Sequence, residues 1–243
     1  MTVRKRADLL LVERGLFESR AKAQAAIEAG LVTADNASVR KPSDTLPLDS
    51  VLRAAPAHPW VSRGGVKLAA ALDHFGFDAK GRVGLDFGAS TGGFTEVLLA
   101  RGAGRVYAVD VGHGQLHTSL AARPEVIALE RVDARTLTPA LIPEPLAFAT
   151  VDVSFISLKL VLPPALALLR PPAWLVALIK PQFEAGRRHL KKGVVRDPPV
   201  RAAVCDDVAA FVGAHGLRVM GVIPSPIAGR DGNHEFLIGA KLD

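Results

Sequence analysis

Four side chains far apart in the sequence carry complementary chemistry: Lys67, Asp152, Lys180 and Glu235. Two amines and two carboxylates, once gathered, can hold and steer the proton of a very weakly acidic hydroxyl, the acids orienting and tuning the amines. Taken singly, each is an ordinary ion-pair residue. The reading therefore depends on a fold that collects them at one edge.

A second feature is the run Leu85-Asp-Phe-Gly-Ala-Ser-Thr-Gly-Gly-Phe-Thr95. Its small residues let backbone approach a ligand, and the helix that follows begins with unpaired N–H groups. Gly88–Gly93 lacks the Gly-Lys-Ser/Thr ending of a phosphate loop. Ser90 occupies the place where a dinucleotide site needs its second glycine. Asp110, about 20 residues downstream, is placed to receive ribose hydroxyls. Asp133 suits an adenine amino group, and Asp86 a cationic amine. Acids around such a pocket favour a sulfonium cofactor, S-adenosylmethionine, over a diphosphate. The expected cofactor contacts are Asp86, Gly88, Ala89, Ser90, Thr91, Gly92, Gly93, Phe94, Asp110, Val111, Asp133 and Ala134.

Positioning these groups requires alternating strands and helices. Strands are predicted at 83–87, 106–110, 126–130, 148–153, 175–180, 217–223 and 235–240. Helices are predicted at 66–75, 93–101, 158–169 and 199–215, with a shorter one near 115–122. This alternation predicts an α/β fold, a doubly wound, mostly parallel sheet, whose ligand edge is the carboxyl end of its strands. Asp152 and Lys180 fall at such ends. Glu235 reaches the same edge if the last of the seven strands runs antiparallel, and Lys67 does so at the start of the preceding helix.

The segment up to Pro59 reads differently. A short helix over 6–14 closes at Gly15, Ser19 caps a second over 20–29, and Gly30 ends it. Short strands are expected at 31–33, 38–40 and 50–53. Arg20 and Lys22 fall in the first helical turn, where the macrodipole disfavours cations; a bound phosphate would reverse the sign. His58-Pro59-Trp60 is the expected hinge, giving units 1–59 and 60–243.

Bulk properties narrow the classes. The net charge is +6, and residues up to Lys67 hold eleven Lys/Arg against seven Asp/Glu, which suggests a polyanionic partner for the N-terminal part. Aromatics are 5% of the chain, which favours reading backbone and shape over stacking on single strands. Cys205 is the single cysteine, which suits a reducing, cytoplasmic setting and excludes an intrachain disulfide. The apolar stretch from Leu158 to Ile179 is interrupted by Lys159, Arg170 and two proline pairs, so a membrane span is not expected. The N-terminus lacks the apolar run of a signal peptide. His113 and His117 have helical metal spacing without an evident third ligand, so no metal is expected. Asp197-Pro-Pro-Val200 reads as a helix cap and first turn.

Several segments resemble a known family. The run Arg6–Gly30 resembles the small RNA-binding module first known from the fourth small-subunit ribosomal protein. That likeness implies RNA contacts at Arg4, Arg6, Arg20, Lys22 and Lys41. Val61-Ser-Arg-Gly-Gly-Val-Lys-Leu68, Leu85–Thr95, Val106–Gly112, Asp152-Val-Ser-Phe-Ile-Ser157, Lys180–Gly186 and Asn233-His-Glu-Phe-Leu237 resemble the TlyA family of haemolysin-like ribosomal RNA methyltransferases, with an FtsJ-like catalytic domain. The resemblance implies 2′-O-methylation of cytidine in ribosomal RNA, with the Lys-Asp-Lys-Glu set as the catalytic residues. Val132-Asp133 departs from the Thr-Asn expected of that family, at the place assigned to the adenine. Arg63, Arg187, Arg188, Lys191 and Lys192 are further basic candidates for RNA phosphates. The competing readings are a non-catalytic RNA-binding or ribosome-assembly protein and a haemolysin.

Overall fold

In the computed structural model, which describes residues 3–229 and 232–243, the chain divides after Pro59 into two units. The first contains β1 (Arg4–Arg6), α1 (Ala7–Glu13), α2 (Arg20–Glu28), β2 (Val32–Ala34), β3 (Ala37–Ser38), β4 (Thr45–Pro47) and β5 (Leu52–Ala54). Ala7, Leu11, Phe17, Ala23, Ala26, Ile27 and Val32 form its core. Ser19 caps α2 by accepting from the Lys22 backbone N–H at 3.3 Å, and Gly30 turns the chain at φ +73°. The β1–β4 ladder has no counterpart among the predicted strands. Three-residue basic and polar segments carry no readable alternation, and their pairing spans some forty residues.

Arg20 and Lys22 begin α2 as anticipated, but neither is a lone cation. Arg20 donates to the fully buried Asp8 at 2.9 Å, and Lys22 pairs with Glu18 at 2.6 Å. Local carboxylates thus offset the dipole penalty expected of cations at a helix start.

The second unit continues with α3 (Gly64–Phe75), β6 (Val83–Phe87), α4 (Gly93–Ala100), β7 (Arg105–Asp110), α5 (Thr118–Ala121), β8 (Val126–Glu130) and β9 (Leu146–Val151). It ends with α6 (Leu158–Leu168), β10 (Leu169–Ile179), α7 (Pro181–Glu184), α8 (Pro198–Ala214), β11 (Arg218–Pro224) and β12 (Phe236–Leu242). The seven-stranded sheet has the order β11-β12-β10-β9-β6-β7-β8, and β12 is antiparallel to both neighbours. This is a Rossmann-like, doubly wound sheet with one antiparallel strand.

Alternating side chains feed two cores. Leu85, Phe87, Ala149, Val151, Leu175 and Ala177 pack against α6 and α8, while Phe148, Trp174, Val176 and Leu178 pack against α3 and α4. From β6 the chain winds one way to β7 and β8; β9 and β10 then lie on the other side. The order therefore reverses between β6 and β9, the crevice where such sheets bind ligands.

Boundaries differ in informative places. β10 starts six residues before the expected Leu175, with a register break between Leu169 and Trp174 around Pro171-Pro172. Prolines cannot donate to the ladder, so the sequence hides this part of the strand. α5 is one turn, shorter than the expected helix over 115–122. Asp197 stands at the N-cap of α8 with Pro198 opening the helix, although its side chain makes no capping bond.

Candidate active site

The turn after β6 is shaped by backbone close to backbone. Gly88 has φ +79°, and a Cβ there would lie 2.3 Å from the carbonyl oxygen of Asp152. Its N–H and that of Ala89 both donate to the Val109 carbonyl, at 2.9 and 3.1 Å. Ser90 adopts φ +48°, and Gly92 at φ +95° leads into α4. Asp110 ends β7 with both carboxylate oxygens oriented: Oδ2 accepts from the Ser90 N–H at 2.8 Å and Oδ1 from the Gly112 N–H at 2.7 Å.

A cavity of about 720 Å³ opens beside this turn, bounded by Gly88, Ser90, Asp110, Val111, Asp133, Ala134, Asp152 and Ser154–Ile156 among others. Its size lies within the range of small-molecule sites. Of the twelve residues expected at a cofactor, Gly88, Ser90, Asp110, Val111, Asp133 and Ala134 line it; Asp86, Ala89, Thr91, Gly92, Gly93 and Phe94 do not. Phe94 is instead buried against α3, and Gly92 and Gly93 start α4 behind the turn.

Asp86 lies beneath the turn with no exposed surface. It accepts from Thr95 Oγ1 at 2.6 Å and Thr150 Oγ1 at 3.0 Å. Burial pushes its carboxyl up to about 7, against the pull of the threonine hydroxyls. It props the turn from below, and both its oxygens are already engaged.

Asp133 faces the cavity and is gripped by Arg135, with Nη2 at 2.5 Å and Nε at 3.0 Å. Those bonds hold its carboxyl down at about 2. A carboxylate has lone pairs to spare, so Asp133 keeps acceptor capacity for a further N–H donor in the cavity. Nothing in the sequence pattern singles out Arg135.

Lys67, Asp152, Lys180 and Glu235 form two ion pairs. Lys180 Nζ lies 2.5 Å from Asp152 Oδ1 and donates to Ser154 Oγ at 2.9 Å. Lys67 donates to Glu235 Oε2 at 2.5 Å, with both side chains buried. The strands explain the meeting. Ile179 of β10 is paired with Phe236 of β12, so Lys180, just past one end, lies beside Glu235, just before the other. Asp152 leaves β9, and its N–H donates to the Phe87 carbonyl at 2.8 Å, at the mouth of the glycine turn. The antiparallel β12 is therefore what brings Glu235 to the ligand edge.

Phe155 also lines the cavity, a position that the sequence pattern does not announce. It is 86% exposed and has φ +65°. Its ring is 5.0 Å from that of Phe183, which follows Lys180 by three residues. A bulky non-glycine residue in the left-handed region marks a constrained position. The chemistry available is stacking of a flat ring on an exposed aromatic face, next in sequence to the Ser154 that accepts from Lys180. Only its place in the run Asp152–Ser157 could have signalled it.

The basic residues divide between the two units. In the first, Arg6 and Arg20 are half-exposed and share Asp8, while Gln24 donates to the same carboxylate at 2.8 Å. Arg4 bonds the Thr45 backbone carbonyl and side chain, and the Lys41 side chain is exposed. In the second, Arg63 sits exposed at the N-cap of α3, and Arg187, Arg188, Lys191 and Lys192 are exposed on the turns after α7. His113 contacts Glu130 at 2.7 Å and His117 caps α5, so the two do not share a helical face. Among the described residues no helix is long and apolar enough to cross a membrane.

Residues 60–242 match the FtsJ-like methyltransferases and residues 5–52 match the S4 domain. The chain is 46% identical, over 98% of its length and 90% of the relative's, to a Mycobacterium tuberculosis protein named 16S/23S rRNA (cytidine-2′-O)-methyltransferase TlyA. It is 36% identical to a Brachyspira hyodysenteriae protein named Hemolysin A, over 96% of this chain and 98% of that one. A solved Streptococcus thermophilus structure, titled as a candidate hemolysin, superposes with a TM-score of 0.78 at 40% identity, covering 100% of this chain and 90% of that one.

Proposed function

The chain belongs to the FtsJ-like methyltransferase family, in its TlyA branch, and on that premise we propose that it methylates the ribose 2′-hydroxyl of a cytidine in ribosomal RNA, with S-adenosylmethionine as donor. The observation that carries the reading is the Lys180 amine, fixed by Asp152 and Ser154 at the rim of the glycine-turn cavity.

When bound, S-adenosylmethionine supplies a methyl group on a sulfonium, a good electrophile. Gly88, Ser90 and Val111 would hold its ribose side with Asp110, while Asp133 and Ala134 would hold its adenine. Lys180 orients the attacking 2′-oxygen and steers its proton onto the Lys180–Asp152 pair, while the O–CH3 bond would form as the sulfonium's S–CH3 bond breaks and leaves a neutral thioether. Asp152 fixes that amine, and the Lys67–Glu235 pair braces the neighbouring strand end and helps hold the nucleotide. Phe155 offers a face for the target base. In-line transfer depends above all on alignment, which a buried ion pair (Lys67–Glu235) and a partly buried one (Lys180–Asp152) at neighbouring strand ends are suited to enforce.

Arg4, Arg6, Arg20, Lys22 and Lys41 form the RNA-facing set of the first unit. Arg63, Arg187, Arg188, Lys191 and Lys192 serve the second. A substrate of this kind, ribosomal RNA or a ribosomal subunit, goes with an enzyme of the cytoplasm.

The test is transfer of labelled methyl from S-adenosylmethionine to ribosomal RNA by the wild type and by Lys180→Ala, with cofactor binding followed by calorimetry. A loss of roughly 10²–10⁴-fold in transfer with retained cofactor affinity is expected. Undiminished transfer by the variant would remove Lys180 from the chemistry.

A further inference from the structure

The loop between β9 and α6 is fastened at two places, and only one of them belongs to the catalytic chemistry. At its start, Asp152 and Ser154 are held by Lys180. At its end, Glu184 takes two hydrogen bonds: Ser157 Oγ donates to Oε2 at 2.6 Å and the Leu158 N–H donates to Oε1 at 2.7 Å. Glu184 closes α7, the single turn that begins immediately after Lys180. Between the two clasps stand Phe155, exposed and at φ +65°, and its ring partner Phe183.

We propose that Glu184 is a positioning residue, which locks the Asp152–Ser157 loop onto the Lys180–Glu184 turn so that Phe155 meets the acceptor base while Lys180 meets its ribose. The energetics support a dedicated role. A carboxylate at the start of α6 satisfies the otherwise unpaired Leu158 N–H and suits the positive end of the helix. Ser157 alone could not supply the link, since its hydroxyl already caps α6 by accepting from the Lys159 N–H at 3.2 Å. With Glu184 removed, nothing in the second clasp ties α7 to α6. A left-handed conformation at Phe155 persists only while its surroundings enforce it, so the ring is the first element to lose its place. Lys180, Asp152 and Ser154 keep their own contacts.

The functional part of this inference rests on the ribose-methylation reading; the structural part does not. The experiment therefore compares Glu184→Ala and Glu184→Gln in the full chain by three readouts. Glutamine still accepts from the Leu158 N–H, and its amide can donate to Ser157 Oγ, so it is the rescue variant. In Glu184→Ala, amide hydrogen exchange over residues 152–158 should accelerate while exchange in β6 and β7 stays as in the wild type. Calorimetric affinity for S-adenosylmethionine should be unchanged. Transfer to ribosomal RNA should show a higher KM for RNA and a kcat/KM on the order of 10²-fold lower, largely restored in Glu184→Gln. Unaltered exchange over 152–158 in Glu184→Ala would overturn the proposal whatever the acceptor proves to be. Accelerated exchange with wild-type RNA kinetics would overturn the positioning role. A wild-type enzyme that leaves RNA unmethylated would instead defeat the acceptor reading, and the exchange result would still decide the clasp.

Discussion

Replacing Asp86 with asparagine should make the second unit more stable above neutral pH, and the gain should vanish in acid. The carboxyl is fully buried between Thr95 and Thr150 beneath the glycine turn. Burial lifts it from an ordinary 3.8 to about 7. At 1.36 kcal/mol per pH unit that rise corresponds to about 4 kcal/mol. The sign follows from proton counting. Below pH 3.8 both folded and unfolded chains hold the proton, and the contribution is fully present. Between 3.8 and about 7 the unfolded chain releases its proton while the folded chain keeps it, so stability falls as pH rises. Above that window the loss is constant. The asparagine side chain has no proton to lose, and the threonine hydroxyls can turn to accept from its amide. Urea unfolding of both proteins at pH 5 and pH 8 isolates the effect, since any fixed cost of the substitution cancels in the difference. Both tryptophans, Trp60 and Trp174, lie in the unit that contains Asp86, so their fluorescence reports on the relevant transition. The gap between variant and wild type should shift in the variant's favour by roughly 3 kcal/mol from pH 5 to pH 8. An identical gap at both values would show that Asp86 is ionised throughout and that the burial argument fails.

Other perturbations probe the remaining contacts. Lys67→Met or Glu235→Gln leaves an uncompensated charge in a buried pair and should cost about 3–5 kcal/mol; the double variant, measured by denaturant titration, should cost less than the sum of the two. Asp8→Asn removes a negative charge from the basic first unit, so simple electrostatics expects tighter RNA binding. Loss of the shared grip on Arg6 and Arg20 outweighs this, so anisotropy titrations with a ribosomal RNA fragment over a salt series should show weaker binding; tighter binding would refute the ordering role of Asp8. Gly88→Ala forces a Cβ against the Asp152 carbonyl at a positive φ, for which about 1–3 kcal/mol of strain is expected. Its melting temperature and its S-adenosylmethionine affinity should both fall.

Much of this is legible in the sequence because the relevant signals are local or periodic. β6 and β8 occupy the residues expected of them, and the helices begin or end within a few residues of their caps and glycines. The two ion pairs can be anticipated because strand ends in a doubly wound sheet share an edge, provided that β12 runs antiparallel, as it does. What escapes depends on tertiary contact. Nothing in the one-dimensional pattern joins Arg4–Arg6 to Thr45–Pro47, or tells that Asp8 is buried beneath two arginines. Glu184, Arg135 and Phe155 look like surface residues until the loops that hold them are placed. The proline pair in β10 conceals the first half of a strand, since its missing N–H groups contradict the usual strand pattern. Asp86 lies in the expected cofactor run, but only the packing of Thr95 and Thr150 shows that it supports the turn from within.

Whether the Lys180 edge acts on a ribose hydroxyl is tested most directly by methylating ribosomal RNA with labelled S-adenosylmethionine, digesting the product to nucleosides and identifying the labelled one. Label is expected in 2′-O-methylcytidine, at a position where the backbone resists alkaline cleavage. Label on a base, with the neighbouring backbone still cleaved by alkali, would contradict the assignment.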